Sequence, residues 1–100
     1  MDLHLKGRSA LITGGSRGIG YGVAESLAAE GCNLHLCSRS AESLAAAQKK
    51  LVDKYGVKVG VHALDLSTQE NALKLVKACG TLDILVNNAG AIPQGAITEL

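Results

Sequence analysis

Aromatic side chains are almost missing from this chain: its 100 residues include two tyrosines, Tyr21 and Tyr55, and no phenylalanine or tryptophan. Any core must therefore be aliphatic, and hydrophobic residues at 47% of the chain supply enough for one small domain or part of a larger one. An excess of charge of one sign is missing too. Lys plus Arg total 10 against 9 Asp plus Glu, with no basic run, which argues against the broad basic surface of a nucleic-acid binder. No apolar stretch approaches the roughly 20 residues that span a bilayer. Met1 to Gly7 hold no unbroken apolar segment of the kind a secretory signal carries, so no membrane partner is expected. Low-complexity segments and internal repeats are absent. The cysteines, Cys32, Cys37 and Cys79, are odd in number and form no C-x-x-C. Buried, reduced thiols in a cytoplasmic setting are the expectation.

What is present is an alternation of short apolar runs with helical patterns. Ser9 to Ile12 reads as a buried strand that stops at glycines. Ile19, Val23 and Leu27, with Ala24 and Ala28 beside them, form one face of a helix that Gly31 is placed to end. Asn33 to Cys37 gives a second strand. Ser40 caps a helix with Leu44, Ala47, Leu51 and Tyr55 on its apolar face, closed by Gly56. Val57 to Ala63 alternates apolar with polar, as a strand nearer a sheet edge does. Ser67-Thr68-Gln69-Glu70 reads as a capping box opening a third helix, which Gly80 ends. Asp83 to Val86 is a fourth strand, followed by Asn87-Asn88-Ala89-Gly90. This alternation implies an α/β fold with a doubly wound parallel sheet in the order 3-2-1-4. Ligands then bind at the carboxyl ends of strands 1 and 4.

Thr13 to Gly20, which reads Thr-Gly-Gly-Ser-Arg-Gly-Ile-Gly, falls at one of those ends. A diphosphate needs close donors and no side chain in the way. Glycines at 14, 18 and 20 let the backbone turn and approach, and a helix starting near Gly18 aims its N–H groups and positive dipole end at the anion. The spacing is G-x-x-x-G-x-G rather than G-x-G-x-x-G, and a P-loop is excluded because no lysine follows the last glycine. The plainer alternative is a strand-to-helix turn with extra glycines.

The Thr13 to Gly20 loop followed by Asn87-Asn88-Ala89-Gly90, with Asp65 just after the third strand, resembles the short-chain dehydrogenase/reductase family from about Leu5 to Gly90. The resemblance implies a Rossmann-type fold and a nicotinamide dinucleotide cofactor. By position it implies that Gly14, Ser16, Arg17, Gly18, Ile19 and Gly20 lie against the diphosphate and adenosine ribose. Asp65 and Leu66 would contact the adenine, and Asn88, Ala89 and Gly90 would border the cofactor's ribose. Thr13 and Asn87 would tie the central strands together. Asp65 has the alternative of an ordinary turn residue, and Asn87 that of satisfying a strand end.

An acid near the end of the second strand accepts from the ribose 2′-OH of NAD. Here the strand ends Leu36-Cys37-Ser38-Arg39-Ser40, with no acid at its tip. Arg39 can grip the 2′-phosphate of NADP bidentately, Ser38 can add a hydroxyl, and Arg17 a second positive charge. The expected cofactor is NADP rather than NAD. The alternative for Arg39 is a solvated surface arginine.

The resemblance also implies hydride transfer on a small-molecule carbonyl or alcohol substrate, and a homo-oligomer when complete. In the family a serine and a Tyr-x-x-x-Lys pair do the chemistry, all downstream of Asn-Asn-Ala-Gly. Tyr21 and Tyr55 are followed four residues later by Glu25 and Val59, so no catalytic residue is assigned. Residues 1–100 are expected to be the N-terminal dinucleotide-binding portion of a single, incomplete Rossmann domain, with the remainder of the sheet missing. An interior strand left without its outer partner invites aggregation, so this piece alone is expected to fold poorly. A non-catalytic NADP-binding module or sensor is the competing function. A methyltransferase would want an acid at the tip of strand 2. No metal site is read: His4, His35 and His62 fall on separate elements, and the His35 and Cys37 pair shares one strand face without obvious further ligands.

Overall fold

The structure, a computed structural model, describes residues 5–14, 16 and 18–88. Arg17, Ala89 and Gly90 of the expected site, and His4, lie outside the described residues. Strands β1 (Ser9–Thr13), β2 (Asn33–Ser38), β3 (Val59–Ala63) and β4 (Ile84–Asn87) alternate with helices α1 (Gly18–Ala29), α2 (Ala41–Tyr55) and α3 (Gln69–Cys79). All strand pairs are parallel, in the order β3-β2-β1-β4. This is the doubly wound Rossmann-type arrangement that the alternation implied.

The sheet is covered on both faces, which is why its central strand has no polar alternation. Ala10, Leu11, Ile12 and Thr13 of β1 are all fully buried. Ala10, Ile12, Leu34 and Leu36 face Ala24 and Ala28 of α1 and Leu44, Ala47 and Leu51 of α2. Leu11 and Cys37 face the other way, onto Ala72, Leu75 and Cys79 of α3. The three thiols are free and buried. Among the described residues no helix is long and apolar enough to cross a membrane.

Two local readings shift. The large side chains of α1 do not lead its buried face: Gly20, Ala24 and Ala28 are buried, whereas Ile19 is 80% exposed. Small residues at intervals of four let the helix lie close to the sheet, and that closeness leaves no room for Ile, Val or Leu along the same line. Helix α3 starts one residue later than the capping box implied. The Asp65 carboxylate accepts from the Ser67 backbone N–H (2.9 Å), which draws Ser67 into the turn. Thr68 is the N-cap instead, and its hydroxyl accepts from the Asn71 N–H. Helix α2 is capped as read, by Ser40 at its start and by a left-handed Gly56 at its end.

Gly22 lies mid-helix in α1 with open space where a Cβ would go. Gly22→Ala is therefore expected to stabilise the protein by about 0.5–1 kcal/mol, through lower unfolded-chain entropy and higher helix propensity. A rise in the urea midpoint checks it. Asp83 sits where β1 and β4 begin. Its carboxylate accepts from the Ser9 N–H (2.9 Å) and pairs with the exposed Arg8 guanidinium (3.3 Å), while its own N–H donates to the Ser9 carbonyl. Asp83→Ala is expected to cost about 1–2 kcal/mol, chiefly through the Ser9 donor, since the solvated ion pair contributes little. The same urea midpoint, falling rather than rising, reads this change.

Candidate functional site

The carboxyl end of β1 runs straight into the glycine loop. Gly14 adopts φ +70° and Gly18 adopts φ +59°, left-handed conformations that glycine takes without strain. The Gly14 N–H donates to the Cys37 carbonyl at the end of β2 (2.8 Å), fixing the loop across the strand ends. Gly20 is needed for a different reason. A Cβ there would overlap the Gly14 carbonyl oxygen and lie 2.8 Å from its carbon, so α1 and the loop touch backbone to backbone.

The register of β1 with β4 pairs Thr13 with Asn87. The buried Thr13 hydroxyl donates to the Asn87 side-chain carbonyl (3.3 Å) and ties these strands at their carboxyl ends. Asn88, one residue on, lies against the loop: its amide nitrogen would be 3.1 Å from a Cβ on Gly14 and 3.2 Å from one on Gly20. The two motifs, more than sixty residues apart in sequence, form one surface.

From that surface a crevice of about 630 Å³ opens along the ends of β1, β2 and β3. Gly14, Ser16, Ser38, Arg39, Asp65 and Leu66 line it. Gly18, Ile19, Gly20 and Asn88 are not among its lining residues; Gly18 instead lines, with Ser16, a second pocket between α1 and α2, and Ile19 is exposed. The first turn of α1 carries no acidic side chain, whereas α2 and α3 carry Glu42 and Glu70 there. The positive end of the α1 dipole is thus not offset by a side-chain carboxylate of its own turn.

The side chains at the crevice rim are arranged by short local bonds. The Ser38 hydroxyl accepts from the Ser40 N–H (3.1 Å), holding the β2 exit beside Arg39. The Ser67 backbone N–H and hydroxyl, with the Arg39 guanidinium adding to them, hold the Asp65 carboxyl below the usual carboxylate range. The Asp65 carbonyl accepts from the Asn71 amide (2.7 Å). Asp65 is therefore a turn residue and a crevice residue at once.

The strand pairing also assembles a group that the sequence reading kept apart. His35 Nδ1 lies 3.0 Å from His62 Nε2, and the Cys79 thiol lies 3.9 Å from the same His62 nitrogen. The signal was available in the parallel register: His35 pairs with Gly60 and Cys37 with His62, so all four share a face.

The comparisons with known proteins agree with this architecture. A family profile described as short chain dehydrogenase matches residues 8–100. The rhamnolipids biosynthesis 3-oxoacyl-acyl-carrier-protein reductase of Pseudomonas aeruginosa is 46% identical over 90 residues, covering 86% of this chain and 34% of that protein. The structure of L-sorbose reductase from Gluconobacter frateurii, complexed with NADPH and L-sorbose, superposes with a TM-score of 0.85 at 41% identity, over 90% of this chain and 36% of that one. An alcohol dehydrogenase from Thermococcus sibiricus, complexed with 5-hydroxy-NADP, superposes with a TM-score of 0.75 at 36% identity, over 80% of this chain and 36% of that one. The chain thus spans a little over one third of the length of such relatives. With the glycine loop, the Asn87-Asn88 strand end and the 3-2-1-4 sheet in place, the chain belongs to the short-chain dehydrogenase family.

Proposed function

We propose that these residues form the dinucleotide-binding portion of a Rossmann domain in an NADP(H)-dependent oxidoreductase acting on a carbonyl/alcohol pair. The observation that carries the reading is the glycine cradle, in which Gly14 and Gly20 touch through backbone with the Asn88 amide against them, and Gly14 lines a crevice that ends at Ser38 and Arg39. The Gly14–Gly20 backbone contact fixes the start of α1 against the loop, and at Gly18 the space a Cβ would take is open, so a ligand such as a diphosphate can approach the backbone there. Gly14, Ser16, Arg17, Gly18, Ile19 and Gly20 would hold the diphosphate and adjoining ribose. Asp65 and Leu66 would bound the adenine, and Asn88, Ala89 and Gly90 the second ribose.

The choice of NADP rests on β2. Its tip carries Ser38 and Arg39 and no carboxylate, and a carboxylate there would repel a 2′-phosphate. The NADPH and 5-hydroxy-NADP held by the two solved relatives support the same choice. When bound, the nicotinamide supplies or accepts a hydride. The residues named above would bind and orient the dinucleotide, and the Thr13–Asn87 tie keeps β1 and β4 in register at their carboxyl ends.

The test is turnover by the full-length protein. NADPH oxidation, followed by the loss of reduced-nicotinamide absorbance, is expected with at least one member of a panel of aldehydes, ketones and keto sugars. NADPH binding without turnover across the panel would overturn the enzymatic reading in favour of a sensor.

A further inference from the structure

We propose that His35, His62 and Cys79 form a three-ligand site for a zinc-like divalent cation that clamps β2, β3 and α3 together. None of the three lines the nucleotide crevice, so none of the three donors is a residue assigned to the cofactor. One donor atom from each residue lies within 4.8 Å of the other two. Zinc bonds of about 2.0–2.1 Å to nitrogen and 2.3 Å to sulfur, at tetrahedral angles, put two nitrogens about 3.3 Å apart and nitrogen and sulfur about 3.6 Å apart. The observed 3.0 Å for His35 Nδ1 to His62 Nε2 and 3.9 Å for His62 Nε2 to Cys79 Sγ lie within a few tenths of an ångström of these values, and the His35 and Cys79 donors, within 4.8 Å of each other, would draw together by up to about 1 Å on the ion.

Space for the ion comes from Gly60, which the register places beside His35. A Cβ on Gly60 would stand 3.0 Å from His35 Nδ1 and 3.7 Å from His62 Nε2, the two nitrogens that would donate. The absent side chain leaves these nitrogens uncovered at their point of convergence. Two imidazoles and a thiolate suit zinc and its borderline-soft neighbours rather than magnesium or calcium, which take oxygen ligands. Three protein ligands leave the fourth position to water.

Without a cation the group is neutral. Burial holds both imidazoles below their ordinary range, with His35 adding to the effect on His62. Burial, with Cys37 alongside, pushes the Cys79 thiol up to about 11. Cation binding replaces the His35–His62 hydrogen bond, and the donor imidazole shifts its proton to its other ring nitrogen through water. Waters leave the aquo ion, two metal–nitrogen bonds and one metal–sulfur bond form, and the Cys79 S–H bond breaks with its proton released to water. No oxidation state changes. Affinity is therefore expected to rise with pH, by up to about tenfold per unit while the thiol proton competes.

Cobalt(II) is the probe. The full-length protein, stripped with EDTA and dialysed, is expected to bind one Co²⁺ per chain with a thiolate-to-cobalt charge-transfer band, displaced by one equivalent of Zn²⁺. Cys79→Ser is expected to abolish the band. His62→Gln is expected to weaken binding at least tenfold, and Gly60→Ala, which removes no ligand, to weaken it as well. A Cys32→Ser protein, altered at a thiol on the opposite face of the sheet, is expected to keep the band. Absence of the band in the unaltered protein, or an undiminished band in Cys79→Ser, would overturn the proposal.

Discussion

Gly20→Ala is expected to destabilise the full-length protein by at least about 3 kcal/mol and to weaken NADPH binding at least tenfold. The added methyl meets backbone, the Gly14 carbonyl oxygen and carbon, and also crowds the Asn88 amide at 3.2 Å. A flexible side chain could swing away, but the Gly14 carbonyl is anchored by the chain on both sides, and its own N–H is bonded to the Cys37 carbonyl. Either α1 lifts from the sheet, exposing the face carried by Ala24 and Ala28, or the loop moves and the cradle is lost. Overpacking of tight cores typically costs about 1–3 kcal/mol, and more where the obstacle is backbone. At about 2–4 °C per kcal/mol for a protein of 150–250 residues, the thermal midpoint should fall by at least about 6 °C. Gly22→Ala, two residues along the same helix, is the matched control and should move the midpoint the other way. Equal midpoints for the two variants would contradict the close-approach argument.

Arg39→Asp is expected to invert cofactor preference. Arg39 stands at the tip of β2 on the crevice wall, and its guanidinium is the cation that the described residues offer to a 2′-phosphate there. Losing a charge-assisted bidentate contact weakens NADPH by about 10- to 100-fold, and the new carboxylate repels the phosphate as well. The same carboxylate can accept from the free 2′-OH of NADH, so NADH affinity should hold or improve. Isothermal titration of both cofactors reads the two changes separately. An unchanged NADPH affinity in Arg39→Asp would make Arg39 a solvated surface residue.

Much of this was legible in the residues because backbone demands leave few choices. Glycine at 14 and 18 answers positive φ, and Ser40 and Gly56 mark the two ends of α2 by capping chemistry. Ala10, Leu11 and Ile12 of β1 read as an unbroken apolar run because helices cover both faces. What escaped the sequence depended on distance in space. The buried line of α1 is Gly20, Ala24 and Ala28 because close packing against the sheet outweighs hydrophobicity, which alone favours Ile19 and Leu27. Helix α3 begins at Gln69 because the Asp65 turn, set by the end of β3, captures Ser67 first. The His35–His62–Cys79 group needs the register of β2 with β3 and the packing of α3, neither of which a pattern along one strand contains. The roles of Arg17, Ala89 and Gly90 remain those implied by family resemblance, since these residues lie outside the described part of the chain.

The central claim, that the crevice between the glycine loop and the tip of β2 reads NADP, is tested most directly by titrating the unaltered full-length protein with NADPH and NADH. Following reduced-nicotinamide fluorescence, NADPH should bind at least about tenfold more tightly, the worth of one charge-assisted contact to the 2′-phosphate. Equal affinities, or tighter binding of NADH, would contradict it.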